Sequence, residues 1–168
     1  DMLYTVVNER DELGDEPVPD YLTSVQRDGF YGWPFVYFGN HVDPRMKDQK
    51  PPKEALVPDL ALGAHTASLG LAFSPFPHKE GAFIGQHGSW NRSELVGYKV
   101  VFVPFQSGKP AGPPEDFLTG FISDLSKGEV RGRPVGVTAS RDGLLVCDDS
   151  GNTVWLVTSK VKQANQGG

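Results

Sequence analysis

The chain has 168 residues, of which 38% are apolar and 22% charged, a composition typical of a globular protein with a core. Its 16 basic and 21 acidic residues give a formal net charge of −5, so the surface would repel a phosphate backbone and no nucleic-acid partner is expected. No apolar run reaches the roughly 18–20 residues of a membrane span, and the single cysteine, Cys147, excludes an internal disulfide and a cysteine-based metal site.

The sequence predicts an all-β chain. Short runs of β-branched and aromatic residues recur, each bounded by Gly, Pro, Asn or Asp, and no window has the apolar spacing of a helix. In chain order the predicted strands cover residues 3–7, 35–38, 68–73, 82–85, 98–105, 135–139, 144–147 and 153–157. Cys147 ends one of these apolar runs, so we expect it to be a buried free thiol.

Two segments repeat the same order of three strands. Residues 69–103 and 135–158 each contain an apolar strand, a second strand that begins with glycine, and a third strand after a polar turn. The two initial glycines, Gly81 and Gly143, lie 62 positions apart, and residues 2–9 resemble a third copy of the second strand alone. Repeated antiparallel units of this kind are typical of propeller blades.

Two to three blades would not close a ring, because propellers have at least four blades. We therefore expect residues 1–158 to be the C-terminal part, about two to three blades, of a longer β-propeller chain, and residues 159–168 to be a polar tail. No signal peptide is expected within this chain, since its first residues lack a basic segment followed by an apolar one. A self-contained sandwich of two sheets is the alternative.

Long loops are predicted at residues 11–32 and 41–58. The first holds six acidic residues and several aromatic ones, so we expect an ordered surface loop near a functional site. The acidic run at residues 8–15 could hold a hard cation such as Ca²⁺, or it could be a solvated loop. Residues 148–152 (DDSGN) predict a hairpin turn.

Arginine and tryptophan side chains are candidates for binding an anionic, planar ligand. Arg131 and Arg133 lie two residues apart, which puts both on one face of an extended strand. Such a pair can grip a polycarboxylate, or it can form an exposed basic edge. Trp90 and Arg92 offer a stacking surface beside a cation.

The histidine spacing does not suit a zinc hydrolase, because no pair is four residues apart and no HExxH motif occurs. His65 and His87 occupy equivalent ends of neighbouring predicted strands. We expect both near one mouth of the ring, although His87 taken alone could be structural.

Four motifs together resemble the glucose/sorbosone dehydrogenases, and in particular the L-sorbosone dehydrogenases. They are VNERDELGD at residues 7–15, GFYGWP at 29–34, GQHGSWNR at 85–92 and GRPVGV at 132–137. That family consists of pyrroloquinoline-quinone (PQQ)-dependent sugar dehydrogenases on a six-bladed propeller of four-stranded antiparallel blades. The resemblance covers residues 1–158 and corresponds to the C-terminal part of the family's proteins. It implies a periplasmic or secreted quinoprotein.

The resemblance also implies cofactors, partners and site residues. The parent protein would oxidise a sugar or sugar aldehyde by hydride transfer to PQQ, with Ca²⁺ as second cofactor and electrons passed to an external acceptor. The implied site residues are Arg131 and Arg133 for the PQQ carboxylates, His87, Trp90, Arg92, His65 and Thr66 for the cofactor pocket, and the carbonyls of Val6 and Val7 for Ca²⁺. The family's general-base histidine lies on an earlier blade, so we expect this chain alone to be inactive.

Two other functions stay open on the residues. The first is a Ca²⁺-dependent lactonase or esterase on a similar propeller. Its candidate metal ligands are Asn8, Asn91, Asp148 and Asp149. The second is a non-catalytic propeller module that binds a partner protein. An arginine pair that points into the mouth of the ring favours the quinoprotein, and the same pair on the outer rim favours the binding module.

Overall fold

Fifteen strands and two short 3-10 turns make up the structure, a computed structural model that describes residues 2–159. The strands are β1 (Tyr4–Val7), β2 (Pro19–Ser24), β3 (Val36–Tyr37), β4 (His41–Val42), β5 (Leu60–Ala64), β6 (Ser68–Phe73), β7 (Gly81–Gln86), β8 (Lys99–Gln106), β9 (Lys109–Pro110), β10 (Glu115–Leu118), β11 (Ile122–Asp124), β12 (Glu129–Val130), β13 (Pro134–Ser140), β14 (Gly143–Asp148) and β15 (Thr153–Val157). The 3-10 turns are Pro44–Met46 and Leu125–Lys127. The all-β prediction is confirmed, and the described residues include no helix long and apolar enough to cross a membrane.

Three antiparallel sheets of three or more strands follow one another along the chain, and β3-β4 and β11-β12 form two further two-stranded sheets. The first has the order β1-β2-β5, the second β6-β7-β8-β10 and the third β13-β14-β15, while β9 pairs with β8. The second and third sheets confirm the predicted repeat of three strands. Four-stranded blades were predicted throughout, but within residues 2–159 only the second sheet has four strands on its path.

The second sheet is buried on both faces, because its central strands are nearly continuous apolar runs whose successive side chains point to opposite faces. Ile84 and Val101 face the first sheet, where they pack with Leu22 in one apolar cluster. Phe83 packs on the other face in a second cluster with Leu144 of the third sheet. All six residues of β7 are buried. The two clusters hold the three sheets face to face.

Glycines let the third sheet approach the second closely. A Cβ atom added at Gly70 or Gly85 would collide with the carbonyl oxygen of Val135 on β13. The backbone of β13 therefore lies directly against β6 and β7, closer than any side chain would allow.

Two strands of the first sheet were missed by the sequence analysis. The predicted loop at residues 11–32 contains β2, whose Leu22 is fully buried at the centre of that sheet, and β5 was not predicted at all. β2 has only three consecutive buried positions after Asp20, and β5 contains glycine and alanine. Runs this short and this poor in branched residues give little strand signal.

The prediction that Cys147 is buried is wrong. Leu144 and Val146 on β14 are fully buried against the second sheet, whereas Cys147 points the other way and is exposed. That outer face also exposes Val154 and Leu156. The extent of the predicted domain, residues 1–158, stays a prediction, and residues 160–168 of the predicted tail lie outside the described residues.

The close approach at Gly85 can be tested by substitution. We expect Gly85→Ala to lower the free energy of unfolding by about 1–3 kcal/mol, because the new methyl group must displace backbone atoms of β13. Gly136→Ala on β13 is the matched control, since its Cβ would meet nothing closer than 3.9 Å. Urea denaturation measures the free energy of unfolding of both variants. Equal values for the two variants would contradict this packing.

Candidate functional site: a polar rim at one end of the sheets

Polar loops gather at one end of the three sheets. β1, β5, β7 and β14 end there, and β2, β6, β8 and β13 begin there, as the pairs Ser68–Gln86, Gln86–Lys99 and Pro134–Asp148 show. We call this end the rim and define it by residues 8–18, 64–67, 87–98, 131–133 and 148–152. All the side chains predicted for the site lie on the rim, and Val6 and Val7 lie next to it at the end of β1.

Arg133 joins the third sheet to the second at the rim. Its Nε donates to the carbonyl of His87 at 3.0 Å and its Nη2 to the carbonyl of Gly88 at 2.8 Å. The guanidinium lies over the ring of Tyr98, 5.2 Å from the centroid. Nη1 has no hydrogen-bond partner among residues 2–159, so the anchored guanidinium keeps a donor edge for a ligand.

Asp148 shapes the backbone around Arg133. This buried carboxylate accepts hydrogen bonds from the backbone N–H of Arg133 at 2.8 Å and of Gly151 at 2.7 Å, and from the indole of Trp155 at 3.4 Å. Burial raises the pKa of Asp148, but these hydrogen bonds outweigh it and hold the pKa below its ordinary value. The predicted hairpin at residues 148–152 is present, and its carboxylate stabilises the rim.

His87 lies at the same junction and is fixed by three elements. Its backbone N–H donates to Ala67 at 2.9 Å and its carbonyl accepts from Arg133. Its ring Nε2 lies 3.0 and 3.1 Å from the two carboxylate oxygens of Asp149. The ring is mostly buried, with 20% of the side chain exposed.

His65 holds the acidic loop rather than facing a ligand. Its side chain is 1% exposed, with Nδ1 at 2.9 Å from Asp11 and Nε2 at 2.8 Å from the carbonyl of Gly14. Both ring nitrogens are therefore engaged within the fold. These contacts tie the acidic loop to the connection between β5 and β6, and the order of the loop stays a prediction.

Arg92 is engaged through its two terminal nitrogens, while its buried Nε has no hydrogen-bond partner among residues 2–159. Its guanidinium bonds to the carbonyl of Asp15 and, at 2.8 Å, to the carboxylate of Glu16, while Ser93 bonds to the Asp15 side chain. These contacts connect the rim of the second sheet to that of the first. The side chain of Arg92 thus braces two rim loops against each other.

Thr66 belongs to a buried network around Asp20. Its hydroxyl donates to Asp20 at 2.9 Å, and the same carboxylate accepts from the backbone N–H of Ser68 at 2.6 Å and of Glu9 at 3.0 Å. Burial raises the pKa of Asp20, although each of these hydrogen bonds acts in the opposite direction. The Thr66 hydroxyl is therefore committed to the interior.

The acidic loop does not converge on a metal. Within residues 2–159 there is no group of three or more His, Cys, Asp or Glu side chains that could hold an ion. Glu9 pairs with Arg10, Asp11 with His65, and Asp15 with Ser93. These carboxylates do not fit a side-chain Ca²⁺ site.

The proposed lactonase ligands are also dispersed. Asp148 binds backbone N–H groups, Asp149 binds His87, and the amide oxygen of Asn91 accepts from the backbone of Glu12 at 2.8 Å. The described contacts therefore give no support to a lactonase site.

The Val6 and Val7 carbonyls point in opposite directions along β1. The N–H of Val25 donates to the carbonyl of Leu3 at 2.8 Å, and alternate residues of a paired strand share that direction. The Val7 carbonyl therefore faces β2, opposite Tyr21, and the Val6 carbonyl faces away from β2 and accepts a hydrogen bond from Thr5 Oγ1 at 3.2 Å. Ca²⁺ binding by this pair stays a prediction.

Arg131 and Arg133 do not share partners. The residues between β12 and β13 do not form a strand, and Arg131 is exposed beside an open cavity of about 720 Å³ that is also lined by Phe121 and Trp155. The guanidinium of Arg131 makes no hydrogen bond to any residue between 2 and 159. Trp90 is 70% exposed on the rim loop of the second sheet.

Taken together, the rim offers cationic and imidazole donors on a rigid base. The free edge of Arg133 and the ring of His87 are suited to a carboxylate of a planar polyanion, whereas Arg131 borders a cavity whose other lining residues, at 118–121 and 155–158, lie outside the rim. The motifs predicted these side chains. The anchoring roles of Asp148 and Asp149 were not predicted, and their one signal in the sequence is that both follow a repeated apolar strand.

The sequence is similar to known proteins. Residues 26–160 match a family model described as TrAA12-like. A protein of unassigned function from Borreliella burgdorferi is 34% identical over 165 residues, which cover 92% of this chain and 43% of that protein. A pyrroloquinoline quinone-dependent pyranose dehydrogenase from Coprinopsis cinerea is 33% identical over 120 residues, 61% of this chain and 16% of that enzyme. The chain thus spans less than half the length of these relatives.

Solved structures share the fold. The holo form of the pyranose dehydrogenase PQQ domain from Coprinopsis cinerea superposes with a TM-score of 0.71 at 22% identity, over 91% of this chain and 50% of that one. A calcium structure of a family AA12 enzyme from Trichoderma reesei gives 0.71 at 22% identity, over 91% and 47%. The three sheets therefore have the arrangement found in these propeller domains. The predicted number of six blades stays a prediction.

The anchoring role of Asp148 predicts a pH-dependent stability. The lowered pKa means that its contribution is present at pH values above its ordinary value near 3.8 and is lost as the pH falls through the folded-state value. We expect Asp148→Asn to lower the free energy of unfolding at pH 7 by about 1–2 kcal/mol, and by less at acid pH. Urea denaturation at both pH values measures this, with the exposed Asp142→Asn as control. An equal loss of unfolding free energy at both pH values would contradict the anchoring role of the Asp148 carboxylate.

Proposed function

The chain belongs to the TrAA12-like family, and from this we propose that it is the C-terminal part of a PQQ-dependent sugar dehydrogenase. We call the complete enzyme the parent protein. Support for a longer parent comes from the relatives, of which the chain spans less than half. The parent protein would supply the remaining blades of the propeller.

The junction of Arg133 with the His87–Gly88 carbonyls is the observation that carries the proposal. A guanidinium that is already held on one edge loses little side-chain freedom when its other edge binds a carboxylate. Stacking on Tyr98 fixes its plane. PQQ is a planar tricarboxylate, so an anchored planar fork is the donor that suits it.

The residues of this chain would bind and orient the cofactor rather than react. When bound, PQQ supplies the two-electron acceptor for sugar oxidation. Arg133 would hold one carboxylate through Nη1, and Arg131 would reach a second from the neighbouring segment. His87 would present its ring to the same ligand.

The base that removes the proton from the sugar would come from another part of the parent protein. Both ring nitrogens of His65 are engaged with Asp11 and Gly14, and His41 bonds to the carbonyl of Phe38 outside the rim. A ring with both nitrogens engaged has none left to accept a proton from the sugar, which excludes His65, and His41 lies away from the rim.

The finer parts of the proposal follow from the motifs and the relatives. The substrate class is a pyranose or related sugar, with an L-sorbosone-like aldehyde as the narrower option. The parent protein would lie in the periplasm or outside the cell and pass electrons to an external acceptor. Ca²⁺ would bind next to PQQ, with the Val6 carbonyl as this chain's contribution.

A reconstitution titration of the apo parent protein with PQQ tests the proposal. We expect Arg133→Ala to require about ten- to a hundredfold more PQQ for half-maximal dye-linked sugar oxidation, because a charge-assisted hydrogen bond is lost and a carboxylate is left unpaired. Excess PQQ should restore most of the activity, since the arginine binds rather than reacts. Arg133→Lys should recover only part of the affinity, because it loses the planar fork.

Arg141→Ala is the matched control for this titration, because Arg141 is an exposed arginine at the opposite end of the same sheet. It should reconstitute at the wild-type PQQ concentration. If Arg131→Ala and Arg133→Ala do the same, the rim does not hold the cofactor and the proposal is wrong.

A further inference from the structure

His87 and Asp149 occupy the same position in two neighbouring repeats. Each residue directly follows the second strand of its sheet, His87 after β7 and Asp149 after β14. They are 62 residues apart, and their side chains meet across the junction of the second and third sheets. The repeat therefore places the His87 imidazole and the Asp149 carboxylate at equivalent positions of two neighbouring sheets, both on the rim.

Asp149 controls the direction of the His87 ring. Ala67 and Arg133 hold the backbone of His87, but these contacts leave the ring free to turn. The two oxygens of Asp149, at 3.0 and 3.1 Å from Nε2, are its side-chain partners among the described residues. A carboxylate there places the proton on Nε2 and leaves Nδ1 without a partner between residues 2 and 159.

Arg92, the cationic side chain of the same loop, is not available to bind a ligand. Arg92 is committed to the Asp15 carbonyl and to Glu16, on the side of the first sheet. Within residues 87–93, His87 is thus the titratable side chain whose second polar atom can reach a bound group.

We propose that Asp149 is the positioning residue for His87 and holds its ring so that Nδ1 is presented to the cofactor at the rim. The inference rests on the proposed function and adds to it a residue that acts through another. Asp149 itself is 59% exposed at its side chain, so it contributes little to the core and its removal should leave the fold intact.

A double-mutant cycle on the apo parent protein tests the inference. The readout is the PQQ dissociation constant from quenching of tryptophan fluorescence, which needs no turnover. We expect Asp149→Ala to weaken PQQ binding by about three- to tenfold in the wild-type background, and not at all in the His87→Ala background. Asp149→Asn keeps an acceptor oxygen and should retain part of the affinity.

Asp142→Ala is the matched control, because Asp142 is an exposed aspartate of the third sheet at the end away from the rim. It should bind PQQ as the wild type does. Thermal melts of all the variants identify any loss of folding, and Asp149→Asn replaces Asp149→Ala in the cycle if the alanine variant melts early.

The outcomes distinguish a failure of the proposed function from a failure of the positioning role of Asp149. If wild-type protein does not bind PQQ, the proposed function fails and this inference with it. If wild-type protein binds and Asp149→Ala is as harmful without His87 as with it, Asp149 acts directly or through the fold and the positioning role is wrong. If Asp149→Ala binds as the wild type does, that role is also wrong.

Discussion

The second sheet has apolar side chains on both of its faces, and each face is stable only when another sheet covers it. This requirement fixes the first and third sheets in place, because Leu22 and Leu144 are buried against opposite sides of the same four strands. Gly70 and Gly85 then let β13 approach until its backbone touches β6 and β7. The polar ends of all three sheets are brought to one rim as a consequence, and the candidate site follows from the packing of the core.

The close approach of the sheets also decides which rim residues remain available to a ligand. Polar groups at the junctions lose contact with water and need partners within the protein. Thr66 therefore bonds to Asp20, and His65 bonds to Asp11 and Gly14. Arg133 differs, because the carbonyls of the neighbouring loop satisfy only one edge of its guanidinium. A side chain of this kind can serve the fold and a ligand at once.

Much of the fold could be predicted from the sequence, because the second and third sheets have long apolar strands at a regular spacing. β2 escaped prediction because Leu22 is flanked by residues that also suit a loop, and its burial comes from partners far along the chain. Cys147 was misplaced because strand alternation gives two faces, and the sequence does not show which of them a neighbouring sheet covers. The motifs indicated Arg133 and His87, but their partners depend on contacts between sheets, which no local pattern encodes.

The central claim is that this rim forms part of a PQQ site. The most direct measurement is an experimental structure of the parent protein with PQQ bound. The account predicts a cofactor carboxylate within hydrogen-bond distance of Arg133 Nη1, about 2.7–2.9 Å, while Nε and Nη2 keep their bonds to the His87 and Gly88 carbonyls. A structure in which PQQ binds elsewhere and Arg133 contacts only those carbonyls would contradict the claim.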